Sequence, residues 1–337
     1  MLVVFLMNML KNEAHLSKDT FARDIERAPT RDGFGLGVVE AGKQDENVVV
    51  LCADLKESTR AEWFEKEFPG RFIEVGVAEQ NMATVAAGMA AVGKIPFIAS
   101  YAAFSPGRNY EQIRTTIALN RQTVKVCGMH AGVSVGPDGA THQMLEDIGM
   151  MRMMPGMVVL DPADREEARK AVLAAALHDG PVYLRFGRSG VPCFTTRQTP
   201  FEIGKGLTLW ESEKPKVALY TTGAQAHAAL LAARSLESDG IGAMVVHFAT
   251  VKPLDRKAAV SAAKRAGMVF TVEEHQVAGG FGSAVAEVLA EEYPVPVVRL
   301  GIHDRFGQSG EPDELLTHYG IDAPSIVEAV RERLGRA

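Results

Sequence analysis

The chain has 337 residues, about twice the length of a typical domain, which favours two domains or one large one. Hydrophobic residues make up 47% and charged residues 23% of it, the composition of a folded globular protein. Lys and Arg number 36 against 42 Asp and Glu, a formal net charge of −6, and no basic stripe is present. Composition and charge therefore argue against a disordered chain and against a dedicated nucleic-acid-binding protein.

The cysteines and the N-terminus indicate the compartment. Cys52, Cys127 and Cys193 are odd in number, far apart and without a CxxC pair, so neither a disulfide framework nor a zinc site is expected. The first ten residues, MLVVFLMNML, are apolar at nine positions, lack a preceding basic region and fall short of the roughly 20 residues that span a membrane. We interpret them as a packed terminal segment or a misassigned start. The sequence thus predicts a cytoplasmic protein without a membrane partner.

Short β-branched runs alternate with helical segments from about residue 48. The apolar runs that predict buried strands are 48–52, 72–75, 96–100, 123–127, 157–160 and 181–186. The segments between them that predict helices are 79–92, 110–119 and 164–177. Such alternation predicts a mostly parallel sheet.

A polar stretch rich in Gly and Pro, 187–215, interrupts this alternation and reads as a linker. A second series follows, with strands predicted at 216–221, 243–248, 268–274 and 296–300, and helices at 225–236, 255–265, 281–291 and 324–334. The fold class is therefore α/β, with two doubly wound domains of which the second is smaller. We place an N-terminal extension at 1–32, the first domain at 33–190, the linker at 191–215 and the second domain at 216–337.

Glu79, in GVAEQNM, lies at the junction between a predicted buried strand and a helix of small apolar residues. The carboxyl ends of parallel strands are where α/β sheets bind ligands, and a carboxylate there can exchange a proton with a ligand. A glutamate in the first turn also stabilises its own helix through the helix dipole. Spacing alone leaves both interpretations open.

The stretch HAGVSVGPDGATHQ, residues 130–143, is the densest polar and glycine-rich segment. Its glycines permit tight folding that would bring His130, Asp138 and His142 together, and histidine suits proton transfer near neutral pH. The alternative is a long surface loop. GVSVG matches the nucleophile elbow of α/β-hydrolases. That motif needs a helix directly after the serine, however, and the GPDG that follows here predicts a turn.

Further polar and aromatic residues follow predicted strands. Tyr101 and Phe104 could stack on a planar ring, although core packing explains either one alone. Arg188 could bind a phosphate through two hydrogen bonds, and Ser58 is a second polar group just past a strand. Two glycine clusters, GFGLG at 33–37 and GGFG at 279–282, lack the GK[ST] of a P-loop, and we interpret both as turns.

Five segments, ADLKEST, GVAEQNM, SYAAF, HAGVSVGPDGATHQ and TVEEHQVAGGFGSA, occur in an order that resembles the C-terminal half of transketolases over residues 30–337. The chain resembles most the short C-terminal subunit of split transketolases, which joins a pyrimidine-binding domain to a C-terminal domain. No GDG…N motif, the usual magnesium and diphosphate anchor of thiamine enzymes, is present. The resemblance implies that a partner chain carries that anchor.

The resemblance implies thiamine diphosphate and Mg²⁺ as cofactors, with the metal ligands on the partner chain and none on this one. Glu79 matches the glutamate that hydrogen-bonds the 1′ nitrogen of the cofactor's aminopyrimidine. Phe104 matches the aromatic residue stacked on that ring, with Tyr101 beside it. Glu79 and His142 are the implied catalytic residues.

The implied substrate residues follow from the same resemblance. Asp138 matches a residue that binds a sugar hydroxyl, and His142 a histidine that contacts hydroxyls near the reacting carbon. Ser58, His130 and Arg188 match the groups that bind the distal phosphate of the substrate. The sequence departs from single-chain transketolases in GVAEQ, SYAAF and HAGV, where those usually carry GVREH, TFLxF and HDSI, and this leaves the identity of the sugar open.

The implied activity is transfer of a two-carbon ketol unit from a phosphorylated ketose to an aldose. The implied partners are the diphosphate-binding subunit and a second copy of this chain, within a heterotetramer. One alternative is a subunit similar to 1-deoxyxylulose-5-phosphate synthase or to the beta subunit of 2-oxoacid dehydrogenases, which would use a 2-oxoacid donor. The other is a non-catalytic binding or regulatory subunit.

Overall fold

The computed structural model describes residues 9–335, so most of the predicted terminal segment lies outside the described residues. The strands are β1 Arg27–Ala28, β2 Val48–Cys52, β3 Phe72–Glu74, β4 Ile95–Tyr101, β5 Lys125–Met129, β6 Val158–Leu160, β7 Val182–Arg185, β8 Val191–Pro192, β9 Leu207–Glu211, β10 Val217–Thr221, β11 Ala243–His247, β12 Thr250–Lys252, β13 Val269–Gln276 and β14 Val297–Ile302. The α-helices are α1 Thr30–Gln44, α2 Lys56–Thr59, α3 Ala61–Glu67, α4 Glu79–Ala91, α5 Tyr110–Gln112, α6 Asp147–Arg152, α7 Arg165–Leu177, α8 Gln225–Ser238, α9 Arg256–Ala266, α10 Phe281–Glu292, α11 Pro312–His318 and α12 Ala323–Gly335. Short 3-10 turns cover Asn12–Ala14, Pro69–Arg71 and Val133–Asp138, and a π-helical turn covers Ile113–Ala118.

The first domain is built on a seven-stranded sheet of order β12-β6-β7-β5-β4-β2-β3. Its pairings are parallel except that of β12, which runs antiparallel to β6. All five residues of β2, VVVLC, are buried, as are those of β5, because helices cover both faces of the sheet. Continuous apolar runs, and not alternating ones, are therefore the strand signal in this chain.

The second domain has a five-stranded sheet of order β14-β13-β10-β11-β9, parallel except for β9. Together the two sheets confirm the predicted fold class, and every predicted strand is present within two residues of its expected ends. Strand β9 lies inside the segment predicted as a linker. Strand β12 comes from the second half of the chain, yet it forms an edge strand of the first domain's sheet.

Helix α1 corrects the interpretation of residues 33–37 as a turn. Two of its glycines face helix α7: a Cβ at Gly33 would overlap the Arg165 carbonyl oxygen, and one at Gly37 would lie 2.8 Å from Val172 Cβ. Gly35 faces α3 instead, since a Cβ there would overlap the Trp63 ring. The cluster serves close packing of α1 on α7 and α3. Gly279 in the second cluster has a φ of +79°, as a turn requires, but α10 begins at Phe281.

The segment before α1 packs on the second domain. Lys11 N donates to Leu209 O, Ser17 N donates to Phe194 O, and Phe21 meets the ring of Trp210 edge-on at 6.0 Å. The three cysteines are free thiols. Across residues 9–335, no helix is both long and apolar enough to cross a membrane.

Candidate functional site

The eight predicted site residues lie at one edge of the first sheet, where its parallel strands end. Ser58 follows β2, Glu79 follows β3, Tyr101 ends β4 with Phe104 just beyond it, His130 follows β5, and Arg188 follows β7. Asp138 and His142 lie in the loop between β5 and α6. Because the strands are parallel, their carboxyl ends meet there, which is where open α/β sheets bind ligands.

Glu79 is the first residue of α4, and only 1% of it is exposed. Its Oε2 accepts a hydrogen bond from Arg108 Nη1 at 2.7 Å, and its Oε1 accepts a longer one from Ser100 Oγ at 3.4 Å. Asn109 Nδ2 fixes the backbone by donating to Glu79 O at 3.0 Å. The ion pair with Arg108 compensates for burial of the Glu79 carboxylate, whereas Oε1 accepts only the longer hydrogen bond from Ser100.

Four rings form an aromatic cluster beside Glu79. Tyr101 stacks on Phe104 with ring centroids 5.9 Å apart and on His130 with centroids 3.9 Å apart. His142 meets Phe104 edge-on at 5.5 Å and Tyr101 at 6.0 Å. The Arg108 guanidinium lies 4.7 Å from the centre of the Phe104 ring, so Arg108 connects this cluster with Glu79.

His130 is buried beneath Tyr101, with a backbone φ of +54°. Its Nε2 lies 3.4 Å from Arg31 Nη1, and that same Nη1 donates to Ser58 O at 2.7 Å. Burial is the main cause that lowers the pKa of His130 to about 3, and the positive charges of Arg31 and Arg188 lower it further. At neutral pH this imidazole is therefore uncharged and acts through hydrogen bonds.

Arg188 and Arg31 supply the positive charge of the site. Arg188 Nη1 donates to Val135 O at 2.7 Å and lies 3.4 Å from Asp138 Oδ1, which places Asp138 beside the same group. Burial and the neighbouring Arg60 lower the pKa of Arg31 from its usual value. Two guanidinium groups at one edge of a sheet have the charge and the donors that binding an anion requires.

The 130–143 loop does not form a nucleophile elbow. Ser134 is in a 3-10 turn, its N–H is donated to the Glu274 carboxylate, and Gly136 breaks the turn with a φ of +82°. The GPDG sequence predicts this outcome. Tyr110, the third aromatic of the 100–114 segment, lies apart from the ring cluster and donates its hydroxyl to Met150 O at 3.4 Å.

Sequence reasoning missed two site residues, Arg31 and Arg108. Arg31 lies in the first turn of α1, a helix that its glycines obscured. Arg108 lies only four residues beyond Phe104 in SYAAFSPGR, and a guanidinium so close in sequence to a candidate stacking ring was the available signal.

Comparisons with known proteins identify the family. The chain matches the family "Transketolase, pyrimidine binding domain" over residues 26–192 and "Transketolase, C-terminal domain" over residues 206–326. It is 43% identical over 307 residues to a putative transketolase C-terminal section of Methanocaldococcus jannaschii, covering 90% of this chain and 96% of the relative. It is 40% identical to a 6-deoxy-6-sulfo-D-fructose transketolase subunit of Clostridium sp. (strain MSTE9), covering 93% and 96%.

Among solved structures, the chain is similar to one described as a split gene transketolase, inactive beta4 tetramer. The two share 46% sequence identity and superpose with a TM-score of 0.84, over 90% of this chain and 97% of that one. The chain also matches single-chain transketolases, of which it spans about half the length.

Proposed function

This chain belongs to the transketolase family, and from that premise we propose that it is the C-terminal subunit of a two-chain, thiamine diphosphate-dependent transketolase. It would transfer a two-carbon ketol unit from a phosphorylated ketose to an aldose. The observation that carries the proposal is one continuous site in which the buried Glu79 carboxylate, the Phe104 ring and the Arg31–Arg188 cations lie together.

The residues fit the aminopyrimidine of thiamine diphosphate. That ring is planar and carries a basic nitrogen, which calls for an aromatic face and a carboxylate that holds a proton. Phe104 is partly exposed and provides the face, and the weakly engaged Oε1 of Glu79 provides the carboxylate oxygen. When bound, the cofactor supplies stabilisation of a carbanion at its thiazolium ring. Arg108 contacts both protein groups, and its side chain is exposed.

The cationic part of the site suits the phosphorylated end of the sugar. Both hydrogen bonds that Arg31 makes within residues 9–335 use Nη1, so Nη2 is available for a ligand. His130, being neutral, would add a hydrogen bond and not a charge. His142, edge-on to Phe104, would contact hydroxyls near the reacting carbon, and Asp138 a hydroxyl further along. One relative is named a 6-deoxy-6-sulfo-D-fructose transketolase subunit, and the sugar in that name also carries an anionic group.

We further propose that the site is completed by other chains. Val77, just before α4 begins with Glu79, is 70% exposed at the edge that holds the site, and Val92 and Leu119, near the opposite edge of the sheet, are 78% and 72% exposed. Exposed apolar side chains suit contact with another chain. We assign them to contact with a second copy of the chain, and the diphosphate with its Mg²⁺ to a partner subunit. Within residues 9–335, no three His, Cys, Asp or Glu side chains are grouped to hold a metal ion. A related chain solved as an inactive tetramer supports the need for a partner.

The experiment is ketol transfer from xylulose 5-phosphate to ribose 5-phosphate by this chain, alone and co-expressed with a diphosphate-domain subunit. We expect turnover only in the complex. Turnover by the isolated chain would contradict the proposed division of labour. A verified, cofactor-loaded complex that consumes pyruvate and no ketose phosphate would instead identify a 2-oxoacid-using enzyme, and one whose activity is unchanged by Glu79→Ala would identify a non-catalytic subunit.

A further inference from the structure

The loop that carries His130, Asp138 and His142 is held by the second domain. Ser134 N, in the middle of this loop, donates a hydrogen bond of 2.5 Å to Oε1 of Glu274, a residue of β13. Glu274 is only 7% exposed, so water cannot easily replace that carboxylate as the acceptor. Glu274, 140 positions further along the chain, thus supplies the acceptor for the backbone N–H of Ser134.

Glu274 is itself fixed at the domain boundary. Arg185 at the end of β7 donates from Nη2 to the Glu274 carbonyl oxygen at 2.8 Å and from Nε to Asp147 Oδ2 at 2.8 Å. Gly132, with a φ of +88°, leaves room for the carboxylate, since a Cβ there would overlap Oε1. Arg185 therefore holds the backbone of Glu274, and the loop leaves space for its carboxylate at Gly132.

A second contact holds the far end of the loop. Gln143 Nε2 lies 3.1 Å from both Val133 O and Gly136 O inside the loop and 2.9 Å from Gln308 O of the second domain, and its two N–H groups are shared among these three acceptors. A Cβ at Gly139 would lie 2.7 Å from Ser309 Oγ, so the loop rests closely on that segment. From the first domain, Arg188 Nη1 donates to Val135 O at 2.7 Å and Ser189 Oγ donates to Ser134 O at 2.6 Å. The loop is therefore held from both domains, and the second domain supplies the acceptor for Ser134 N and one acceptor for Gln143.

We propose that Glu274 is a positioning residue: its carboxylate, accepting from Ser134 N, sets the conformation of the 130–143 loop and so places the substrate-binding side chains. The second domain thereby takes part in substrate recognition without contacting substrate through Glu274. What the loop binds rests on the proposed function, whereas the coupling between Glu274 and the loop does not.

The test compares Glu274→Ala, which removes the acceptor, with Glu274→Gln, whose amide oxygen can still accept from Ser134 N. Glu273→Gln is the matched control, because Glu273 is an equally buried neighbour whose carboxylate accepts from Phe281 N and Gly282 N, away from the loop. Hydrogen exchange of the 130–143 amides in the full chain is the first readout. We expect about tenfold or faster exchange there in Glu274→Ala, from loss of one buried hydrogen bond, and exchange near wild type in Glu274→Gln.

The second readout is kinetic, in the reconstituted complex. Glu274→Ala should raise KM for the ketose phosphate about tenfold, as loss of one well-placed contact does, with kcat within about threefold of wild type. Glu274→Gln should restore KM. If Glu274→Ala does not fold, Glu274→Asp, which keeps the charge but shortens the reach, should give the same loop-specific rise in exchange.

Unchanged loop exchange in Glu274→Ala or Glu274→Asp, or an equal rise in Glu273→Gln, would overturn the inference. If the wild-type complex transfers no ketol unit while loop exchange responds as expected, the proposed function fails and the positioning role stands on the exchange result.

Discussion

Replacing Arg31 with methionine tests the assignment of the anionic end of the site. Methionine keeps part of the length and apolar contact of the side chain but removes the charge and Nη2, the donor that is free for a ligand. A charge-assisted hydrogen bond to a buried anion contributes about 1.5–3 kcal/mol, which corresponds to about a 10- to 150-fold rise in KM for a phosphorylated ketose. Because the contact is remote from the reacting carbon, kcat should change by less.

The assay is steady-state kinetics of the reconstituted complex with a phosphorylated ketose and with its unphosphorylated analogue. The rise in KM should appear only with the phosphorylated substrate. Arg60→Met is the control, since Arg60 is close enough to influence Arg31 but donates its Nε to Asp32 at 2.7 Å. It should change KM by only a few-fold. Equal losses with both substrates, or no loss with either, would refute the assignment of Arg31 to the anionic group.

Three further predictions concern protonation, packing and assembly. The pKa of His130 is lowered in the folded chain, so below about pH 6.5 the folded chain binds fewer protons than the unfolded chain. The free energy of unfolding should therefore fall on acidification from pH 7 to 5. His130→Gln should reduce that fall by about 1–2 kcal/mol, measured by thermal unfolding. Gly33→Val, which forces α1 from α7, should destabilise the chain by about 1–3 kcal/mol and lower Tm, whereas Gly70→Ala, with open space at its Cβ, should leave Tm nearly unchanged. Val77→Glu combined with Val92→Glu should shift the isolated chain toward monomer in sedimentation, because charges would replace the exposed apolar side chains; an unchanged mass would place the contact between copies elsewhere.

Most of the fold was predictable because fully buried parallel strands produce uninterrupted β-branched runs such as VVVLC. Helix α1 was not, because its GFGLG sequence has the composition of a turn, whereas its glycines serve close packing of a helix on α7 and α3. Strand β12 was not predictable either. Its three residues join a sheet built from a distant part of the chain, a relation that no local pattern encodes.

Some residues of the candidate site were likewise predictable from the sequence and others were not. Residues that follow strands, such as Glu79 and His130, can be located from sequence because parallel topology brings the ends of strands to one edge. Arg108 could not be paired with Glu79 from spacing, since the chain between them includes the whole of α4 and β4. Glu274 reaches the loop from the other domain, and only the packing of the two domains reveals that contact.

We propose that Glu79 holds a proton on the cofactor's pyrimidine and so permits catalysis. The most direct measurement is ketol transfer and thiamine diphosphate affinity in the same reconstituted complex, comparing wild type with Glu79→Gln. Glutamine retains shape and the contact with Ser100 but cannot exchange a proton as a carboxylate does. Loss of this group should lower kcat by about 10²- to 10⁴-fold while the cofactor still binds. Glu79→Gln complexes that bind the cofactor and turn over at the wild-type rate would contradict this role of Glu79.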